Sequence, residues 1–331
     1  MHMSDALLST PVALTAGVAA AGLIIAAGSQ LKKSRRDSLV PLMGVMGAFV
    51  FAAQMVNFAI PGTGSSGHIV GGVLLAAMLG PWAAFVTLAS VLIIQCLIFA
   101  DGGLMALGCN IINMAALTSL VAYPLVYRPI AGRNPGVGRV MTASIAACVA
   151  GLELGAVAVT VETSLSGVTA LPFSEFLLVM TAIHLAIGTV EGVATGAVLS
   201  FVIKSRPSLL YDPYHEATPH KGNVRKAVVW LAVATVAIAG GLSFLASSDP
   251  DGLEWSIARI AGDSGLQAQT DAIAATAQRI QSATSIMPDY DNSLSGIIGA
   301  VMVVALVWVV TTLVASRRKA AVVPRAKNDH R

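Results

Sequence analysis

Residues 81–99 read PWAAFVTLASVLIIQCLIF, an apolar run without a charged side chain. A helix needs about 20 apolar residues to cross the hydrocarbon core of a bilayer. Similar runs recur along the chain, separated by short polar stretches. We count nine candidate helices, at about 7–30, 39–59, 68–79, 81–99, 104–127, 140–163, 175–203, 226–246 and 294–316. The sequence therefore predicts an all-α, multi-pass integral membrane protein.

Composition supports the same class. Of 331 residues, 56% are hydrophobic and 11% are charged, whereas soluble domains carry about 25% charged residues. The mean hydropathy is +0.78. The predicted environment is the lipid bilayer of the cell (inner) membrane. The third candidate, bounded by Gly67 and Gly80-Pro81, is too short to cross by itself, and such a helix needs protein or a cavity around it.

The basic residues predict the orientation, because short cytoplasmic loops are enriched in Lys and Arg. Nine crossings that begin outside would place eighteen of the twenty Lys and Arg residues in the cytoplasm. The two exceptions are Arg259 and Arg279, in the predicted external loop 247–293. We therefore expect the N-terminus outside and the C-terminus in the cytoplasm. No basic stretch precedes the first apolar run and Asp5 interrupts it, so a cleavable signal is not expected.

The chain divides into two membrane parts. Residues 1–205 contain seven predicted helices, and residues 206–226 form a polar cytoplasmic linker with several Pro and His. Residues 227–331 contain a two-helix transmembrane hairpin around the acidic external loop.

The first two residues, Met1-His2, can form a metal chelate. The terminal amine, the His2 amide nitrogen and the imidazole close two fused rings around one ion, and initiator Met1 is expected to remain before a bulky histidine. Square-planar nitrogen donors suit Ni(II) or Cu(II). The alternative is an exposed terminal histidine without a role.

His68 follows a glycine-rich stretch, GTGSSG at 62–67, on the same predicted side of the membrane as His2. It could supply the fourth nitrogen of the site. In the alternative interpretation, His68 is an interfacial residue at the start of a short helix that Ser65 and Ser66 cap. Metal binding by Met1, His2 and His68 is the preferred hypothesis.

Several polar residues could orient these ligands, as outer partners commonly do in metal sites. They lie at the end of the second helix, in the glycine-rich stretch and around the turn between the fourth and fifth helices: Gln54, Asn57, Ser66, Gln95, Asp101, Asn110 and Asn113. Hydrogen bonding between helices is an equally good explanation for the group around this turn.

The seventh helix carries Gly188, Gly192 and Gly196, whose spacing predicts close packing against the sixth helix. His184 and Glu191 share a face, and we expect them to pair rather than to bind metal. Cys96, Cys109 and Cys148 lie in apolar runs without CxxC spacing and are expected in the core. His215, His220 and His330 are expected to be solvated.

The sequence contains neither the ATP-binding pattern GxxxxGK[ST] nor the zinc-protease pattern HExxH. It has no pattern of a nucleophile with a base, and its basic residues flank helices rather than forming a nucleic-acid patch. We expect no enzyme activity, no nucleic-acid partner and no resident cofactor.

Five ordered motifs resemble the CbiM/NikM family, the substrate-specificity components of energy-coupling-factor importers for cobalt and nickel. They are MHMSDALLS (1–9), QMVNF (54–58), SGHIVGG (66–72), DGGLMALGCN (101–110) and HLAIGTVEG (184–192). PDGLEW (250–255) and MPDY (287–290) resemble the small CbiN/NikN partner. Its fusion to the first part resembles the NikMN arrangement.

The resemblance implies a seven-helix metal-binding component whose N-terminus is tucked into the pocket. It also implies a metal bound by the terminal amine, the His2 amide and imidazole, and His68. A transmembrane coupling subunit and cytoplasmic ATPase subunits would supply energy, and the CbiN/NikN-like part would assist metal loading. The opening lacks the glutamate and glycine common in cobalt-type members, which weakens a cobalt assignment without proving nickel.

The function we expect is the metal-binding subunit of an ATP-driven importer of Ni(II), with Co(II) for cobalamin synthesis as the close alternative. A stand-alone secondary transporter is the second hypothesis, with Glu153 and Glu191 as candidate coupling groups.

Overall fold

The computed structural model describes residues 1–33, 39–211, 224–241, 246–262, 271–290 and 294–320. Each of the nine predicted segments contains a helix. In chain order these are α1 Thr10–Lys33, α2 Leu39–Gln54, α3 Gly72–Leu79, α4 Pro81–Phe99, α5 Leu107–Ala131, α6 Val137–Ser166, α7 Phe173–Ser205, α8 Val224–Gly240 and, after two further helices, α11 Ser295–Ala320. Most of the predicted linker, together with His215, His220 and His330, lies outside the described residues.

Six helices are long and apolar enough to cross a membrane: α1, α4, α5, α6, α7 and α11. α2 and the apolar part of α8 are shorter, and α3 has eight residues. α3 and most of α4 are buried among the other helices. This explains why a run as short as α3 is tolerated at that depth, since protein surrounds it.

α5 is a π-helix from Ile111 to Tyr127 and contains Pro124. A proline inside a helix removes one backbone donor, and the wider π-helical ladder accommodates such a defect. α5 packs between α4 and α6, so its first residues stand at the same end of the bundle as the end of α4.

α6 and α7 pack closely, as the glycine spacing predicts. A Cβ atom on Gly188 would lie 2.9 Å from the Cα of Val149, and Gly192 is still closer to Ile145. The glycines of α6 serve other neighbours. Gly151 faces α5, and a Cβ on Gly155 would lie 2.9 Å from the Met1 sulfur. Small residues on α6 therefore make room for α5 and for the N-terminus.

Between α2 and α3 the chain forms an antiparallel hairpin of β1 Phe58–Ile60 and β2 Ser65–Gly67. Gly62 and Gly64 adopt positive φ in its turn, a conformation that glycine enters without steric cost. The prediction that a helix begins at His68 was wrong, because α3 begins at Gly72. Ser65 and Ser66 lie in β2 rather than capping that helix.

The segment after α8 forms two amphipathic helices, α9 Gly252–Ala261 and α10 Ala272–Thr284. Asp251 caps α9 by accepting the amides of Leu253 and Glu254, and the Glu254 side chain reaches back to the Asp251 amide. This reciprocal capping box fixes where the helix starts. Both helices cover the end of the bundle where the hairpin and the N-terminus lie.

Candidate metal site

The first three residues are inserted into the end of the bundle. The Met3 amide donates to Asn110 Oδ1 at 2.8 Å, and the Met3 carbonyl accepts from Gly103 N at 2.9 Å. Asn110 Nδ2 also donates to that carbonyl, at 3.2 Å. Met1 and Met3 side chains are buried. These bonds fix the backbone of Met3, so Met1 and His2 are held at one place.

The His2 ring lies between two polar side chains and stacks on His68. Its Nε2 is 3.2 Å from Gln95 Oε1, and its Nδ1 is 3.3 Å from Asp101 Oδ1. The centroids of the two imidazole rings are 5.3 Å apart. Because metal–nitrogen bonds are about 2 Å long, one ion can reach both rings at this separation.

A relay of amide groups presents an oxygen acceptor to His2 Nε2. Gln54 Nε2 donates to the Val70 carbonyl at 2.8 Å, so its oxygen faces Gln95. Gln95 Nε2 donates to that oxygen at 2.8 Å, which leaves Gln95 Oε1 to accept from His2 Nε2. Both ring nitrogens of His2 therefore face oxygen acceptors, and when Nε2 carries the proton the lone pair is on Nδ1. Nδ1 is the nitrogen that closes a six-membered ring with the His2 amide.

His68 follows β2 and is buried. Its Nδ1 lies 3.1 Å from the Ile69 carbonyl, an acceptor, so neutral His68 has its lone pair on Nε2. Burial, followed by the charges of the terminal ammonium and His2, lowers the pKa of His68 to about 3. The imidazole is therefore neutral at ordinary pH, as a metal ligand must be.

The terminal amine of Met1 pairs with Asp251 of the capping box. The nitrogen and Asp251 Oδ2 are 2.5 Å apart, and the amine end is almost fully buried. Burial by itself raises the pKa of Asp251, but the adjacent ammonium and its hydrogen bond bring this pKa well below the usual range. A residue of the second part of the chain thus contacts a predicted metal donor of the first part.

A cavity of about 750 Å³ adjoins these groups, and α9 and α10 partly roof it. His2, His68, Asp101 and Asp251 line it, together with Gln54 and Asn57. Five carboxylates border the cavity and make it attractive to a cation: Asp5, Asp101, Asp249, Asp251 and Glu254. Burial raises the pKa of Asp5, whose Oδ1 accepts the Ala106 amide.

Within the described residues, no three side chains of His, Cys, Asp or Glu come together to hold a metal. A site at this place therefore depends on backbone nitrogen. The terminal amine, the His2 amide, His2 Nδ1 and His68 Nε2 would give four nitrogen donors, a set that suits Ni(II) or Cu(II).

The other predicted partners divide into two groups. Gln54, Gln95 and Asn110 hold the ligand-bearing segments as described above. Asn113 instead donates to Glu162 at 2.7 Å and approaches the Met3 sulfur, and Ser66 donates to the Asp249 carbonyl at 2.7 Å. Asn57 lines the cavity, and its carbonyl accepts from Ser247.

The predicted pairing of His184 with Glu191 was wrong. Glu191 accepts the amides of Val70 at 2.8 Å and Gly71 at 2.9 Å, so it fixes the segment after His68. His184 Nδ1 bonds to the Met180 carbonyl at 2.7 Å. The two carboxyl oxygens of Glu191 accept two consecutive backbone amides, which is more favourable than one hydrogen bond to an imidazole. His184 and Glu191 therefore share a helix face but do not pair.

Sequence reasoning missed three contributors: Asp251, Tyr290 and the role of Glu191. Tyr290 Oη donates to Asp101 Oδ2 at 2.7 Å, and the Tyr290 ring stacks on Phe99. The pattern Asp-x-x-Glu at 251–254 does predict a helix start. Nothing in that local pattern indicates that the same carboxylate reaches residue 1.

Comparison with known families gives two matches. Residues 2–209 match the family model CbiM, "Cobalt uptake substrate-specific transmembrane region". Residues 225–316 match the PDGLE domain.

Individual relatives cover between 62% and 94% of this chain. A protein of Archaeoglobus fulgidus, whose name includes the words fused nickel transport protein NikMN, is 33% identical over 94% of this chain and 98% of its own length. Cobalt transport protein CbiM of Geobacter sulfurreducens is 31% identical over 72% of each chain. A crystal structure of a truncated transition metal transporter is 32% identical, with a TM-score of 0.54, and covers 62% of this chain and 99% of its own.

Proposed function

The chain belongs to the CbiM family and is a multi-pass membrane protein of nickel or cobalt transport, and from this premise we propose that it is the metal-capturing subunit of an ATP-driven importer of Ni(II). Met1, His2 and His68 hold the ion. The observation that carries the proposal is that His2, His68 and Asp251, the partner of the Met1 amine, line one cavity, where the two imidazole rings stack.

Capture exchanges existing contacts for bonds to the metal. Each donor nitrogen must lose a proton or a hydrogen bond before it binds the ion. His2 Nδ1 faces Asp101, so the ion replaces that contact. Once Nδ1 binds the ion, Nε2 carries the proton and donates it to Gln95 Oε1, and the His68 ring is already neutral. Little rearrangement of the side chains is then required, which favours rapid binding.

Nickel is the proposed cargo because a set of four nitrogen donors would match the square-planar preference of Ni(II). The names of the relatives include both nickel and cobalt transport, so Co(II) is the competitor to measure. Competitive uptake of radioactive nickel and cobalt by cells that contain the partner subunits distinguishes them. Preferential cobalt uptake would contradict the nickel assignment.

The basic residues support an orientation in which this cavity faces outside. Nine crossings, with seven in residues 1–205, a linker at 206–226 and a hairpin in 227–331, put eighteen of the twenty Lys and Arg residues inside. Metal then enters from the side where it arrives. Labelling of single cysteines in the 247–262 segment with a membrane-impermeant reagent tests this orientation, and protection in intact cells would overturn it.

Energy is proposed to come from a separate transmembrane coupling subunit and cytoplasmic ATPases, since the sequence lacks an ATP-binding GxxxxGK[ST] pattern. The competing secondary-transport mechanism needs free intramembrane carboxylates; of its two candidates, Glu191 is engaged with backbone amides, which leaves Glu153. Metal uptake that persists in cells without the ATPase would favour the competitor.

The decisive experiment adds one alanine before Met1. The extension moves the terminal amine away from the His2 amide and so destroys the five-membered ring, while every side chain is retained. We expect loss of tight nickel binding by the purified protein. The matched control carries a removable extension that is cleaved to restore Met1, and it should bind normally. Equal affinity of the extended and restored proteins would refute the mechanism.

A further inference from the structure

The contact between Met1 and Asp251 links the metal site to the external part of the chain. The two carboxylate oxygens of Asp251 have separate partners. Oδ1 accepts the amides of Leu253 and Glu254, and Oδ2 accepts from the terminal amine at 2.5 Å. Side-chain exposure at this pair is 3% for Met1 and 17% for Asp251. One oxygen therefore holds the helix, while the other is dedicated to the amine.

The surrounding packing fixes the position of Asp251. Ser66 N donates to the Pro250 carbonyl at 2.8 Å, which adds residues 249–251 to the edge of β2. Trp255 Nε1 donates to the Thr63 carbonyl at 3.0 Å. A Cβ on Gly252 would lie 2.9 Å from Ile187 Cδ1, so the start of α9 sits directly on α7. These contacts hold the carboxylate against the amine with little freedom.

The chemistry of the amine allows this contact to persist when metal binds. A terminal ammonium has three N–H bonds. On metal binding one N–H bond breaks, its proton passes to water in the cavity, and the freed lone pair forms the metal–nitrogen bond. Two N–H bonds remain, and one of them can still be donated to Asp251. The carboxylate also places a negative charge beside a divalent cation, which stabilises the bound state.

We propose that Asp251 is a positioning residue of the metal site: it accepts a hydrogen bond from the terminal amine before and after capture, and so directs the amine lone pair toward His2 and His68. The inference rests on the proposed function, because it assigns a partner to the amine of that site. Its general precedent is the carboxylate that orients a metal-bound histidine from the outer shell.

Asp251→Asn tests the proposal because asparagine caps a helix as well as aspartate does but carries no charge. Asp271→Asn is the matched control, since Asp271 caps α10 by accepting the Ala274 amide and does not touch Met1. We expect Asp251→Asn to raise the nickel dissociation constant of the purified full-length protein about 10- to 100-fold, the range seen for outer-shell partners. Asp271→Asn should leave it unchanged.

A second readout uses no metal. The terminal amine of the metal-free protein is treated with an amine-acylating reagent, and the N-terminal peptide is quantified by mass spectrometry. The Asp251 pair protects this amine in the wild-type protein, so acylation should be clearly faster in Asp251→Asn and unchanged in Asp271→Asn. Asp251→Ser, which also retains a capping oxygen but is too short to reach the amine, should behave like Asp251→Asn.

The outcomes separate the two hypotheses. Unchanged affinity and unchanged acylation in both Asp251 variants would overturn the role of Asp251 and leave the proposed site intact. Equal losses in Asp251→Asn and Asp271→Asn would reduce the effect to the loss of a negative charge from the external segment and would also overturn it. Retained nickel binding after extension of the N-terminus would instead refute the proposed function, whatever the Asp251 variants show.

Discussion

Glu191 is the residue whose replacement should most sharply separate positioning from ligation. Its two carboxyl oxygens accept the amides of Val70 and Gly71 at 2.8 and 2.9 Å. All three residues are buried, and His68 lies two positions before Val70. In Glu191→Gln one oxygen is replaced by an NH₂ group, which faces an amide donor. One buried N–H therefore loses its acceptor.

An unpaired buried N–H costs about 1–3 kcal/mol, and we take about 2 kcal/mol for this variant. If the 68–71 segment relaxes to recover the bond, His68 leaves its position beside His2. Metal binding must then restore the segment at that cost. Because about 1.4 kcal/mol corresponds to a tenfold change in affinity, we expect the nickel dissociation constant to rise about 30-fold.

The assay is a competition titration of purified protein with a chromophoric nickel chelator. Glu153→Gln is the matched control, because Glu153 is on the adjacent helix α6 and its Oε1 has no hydrogen-bond partner among the described residues. The control should retain wild-type affinity. If Glu191→Gln also retains it while its melting temperature falls, Glu191 stabilises the fold without positioning His68, and our reasoning is wrong.

Three further predictions follow from single contacts. Lowering the pH from 6.5 to about 3 should destabilise the metal-free protein, because the folded-state pKa of His68 lies below its ordinary value of 6.5 and the unfolded chain binds the proton first. About 2 kcal/mol of the free energy of unfolding is lost by pH 5. His68→Gln should flatten this pH dependence in denaturant titrations. Gly155→Val should displace the Met1 side chain, whose sulfur would lie 2.9 Å from the new Cβ, at a cost of about 1–3 kcal/mol. It should therefore weaken nickel binding in the competition titration. Gly138→Ala should not weaken it, because a Cβ there would have nothing within 4 Å. Tyr290→Phe removes the hydrogen bond that Tyr290 donates to Asp101, at a cost of about 1 kcal/mol in the free energy of unfolding. A nickel affinity equal to that of the wild-type protein would show that the position of Asp101 does not depend on this hydrogen bond.

The helices were predictable because each apolar run is long, and polar residues or glycines bound it. A predicted helix boundary was wrong where a distant side chain competes with helix formation. Residues 68–71 have the composition of a helix start, but Glu191, more than 100 positions away, takes the amides of Val70 and Gly71. A single sequence contains no local signal for such a bond.

The metal site, like the helix bounds, could be predicted only in part. His2 and His68 could be selected from the sequence because a terminal amine beside a histidine has chelating chemistry of its own. Gln54 and Gln95 were recognised as candidate partners, but their order in the relay depends on which amide group faces the Val70 carbonyl. The contact of Asp251 with Met1 joins residues 250 positions apart, so only the folded chain reveals it.

Because Met1 and Asp251 belong to the same chain, their contact does not weaken when the protein is diluted. Both partners are on one polypeptide, so their association is intramolecular and does not depend on the protein concentration. Separate chains bearing the same two groups would dissociate as their abundance in the membrane fell. In the fused chain the stoichiometry is fixed at one carboxylate for each amine, independent of expression level.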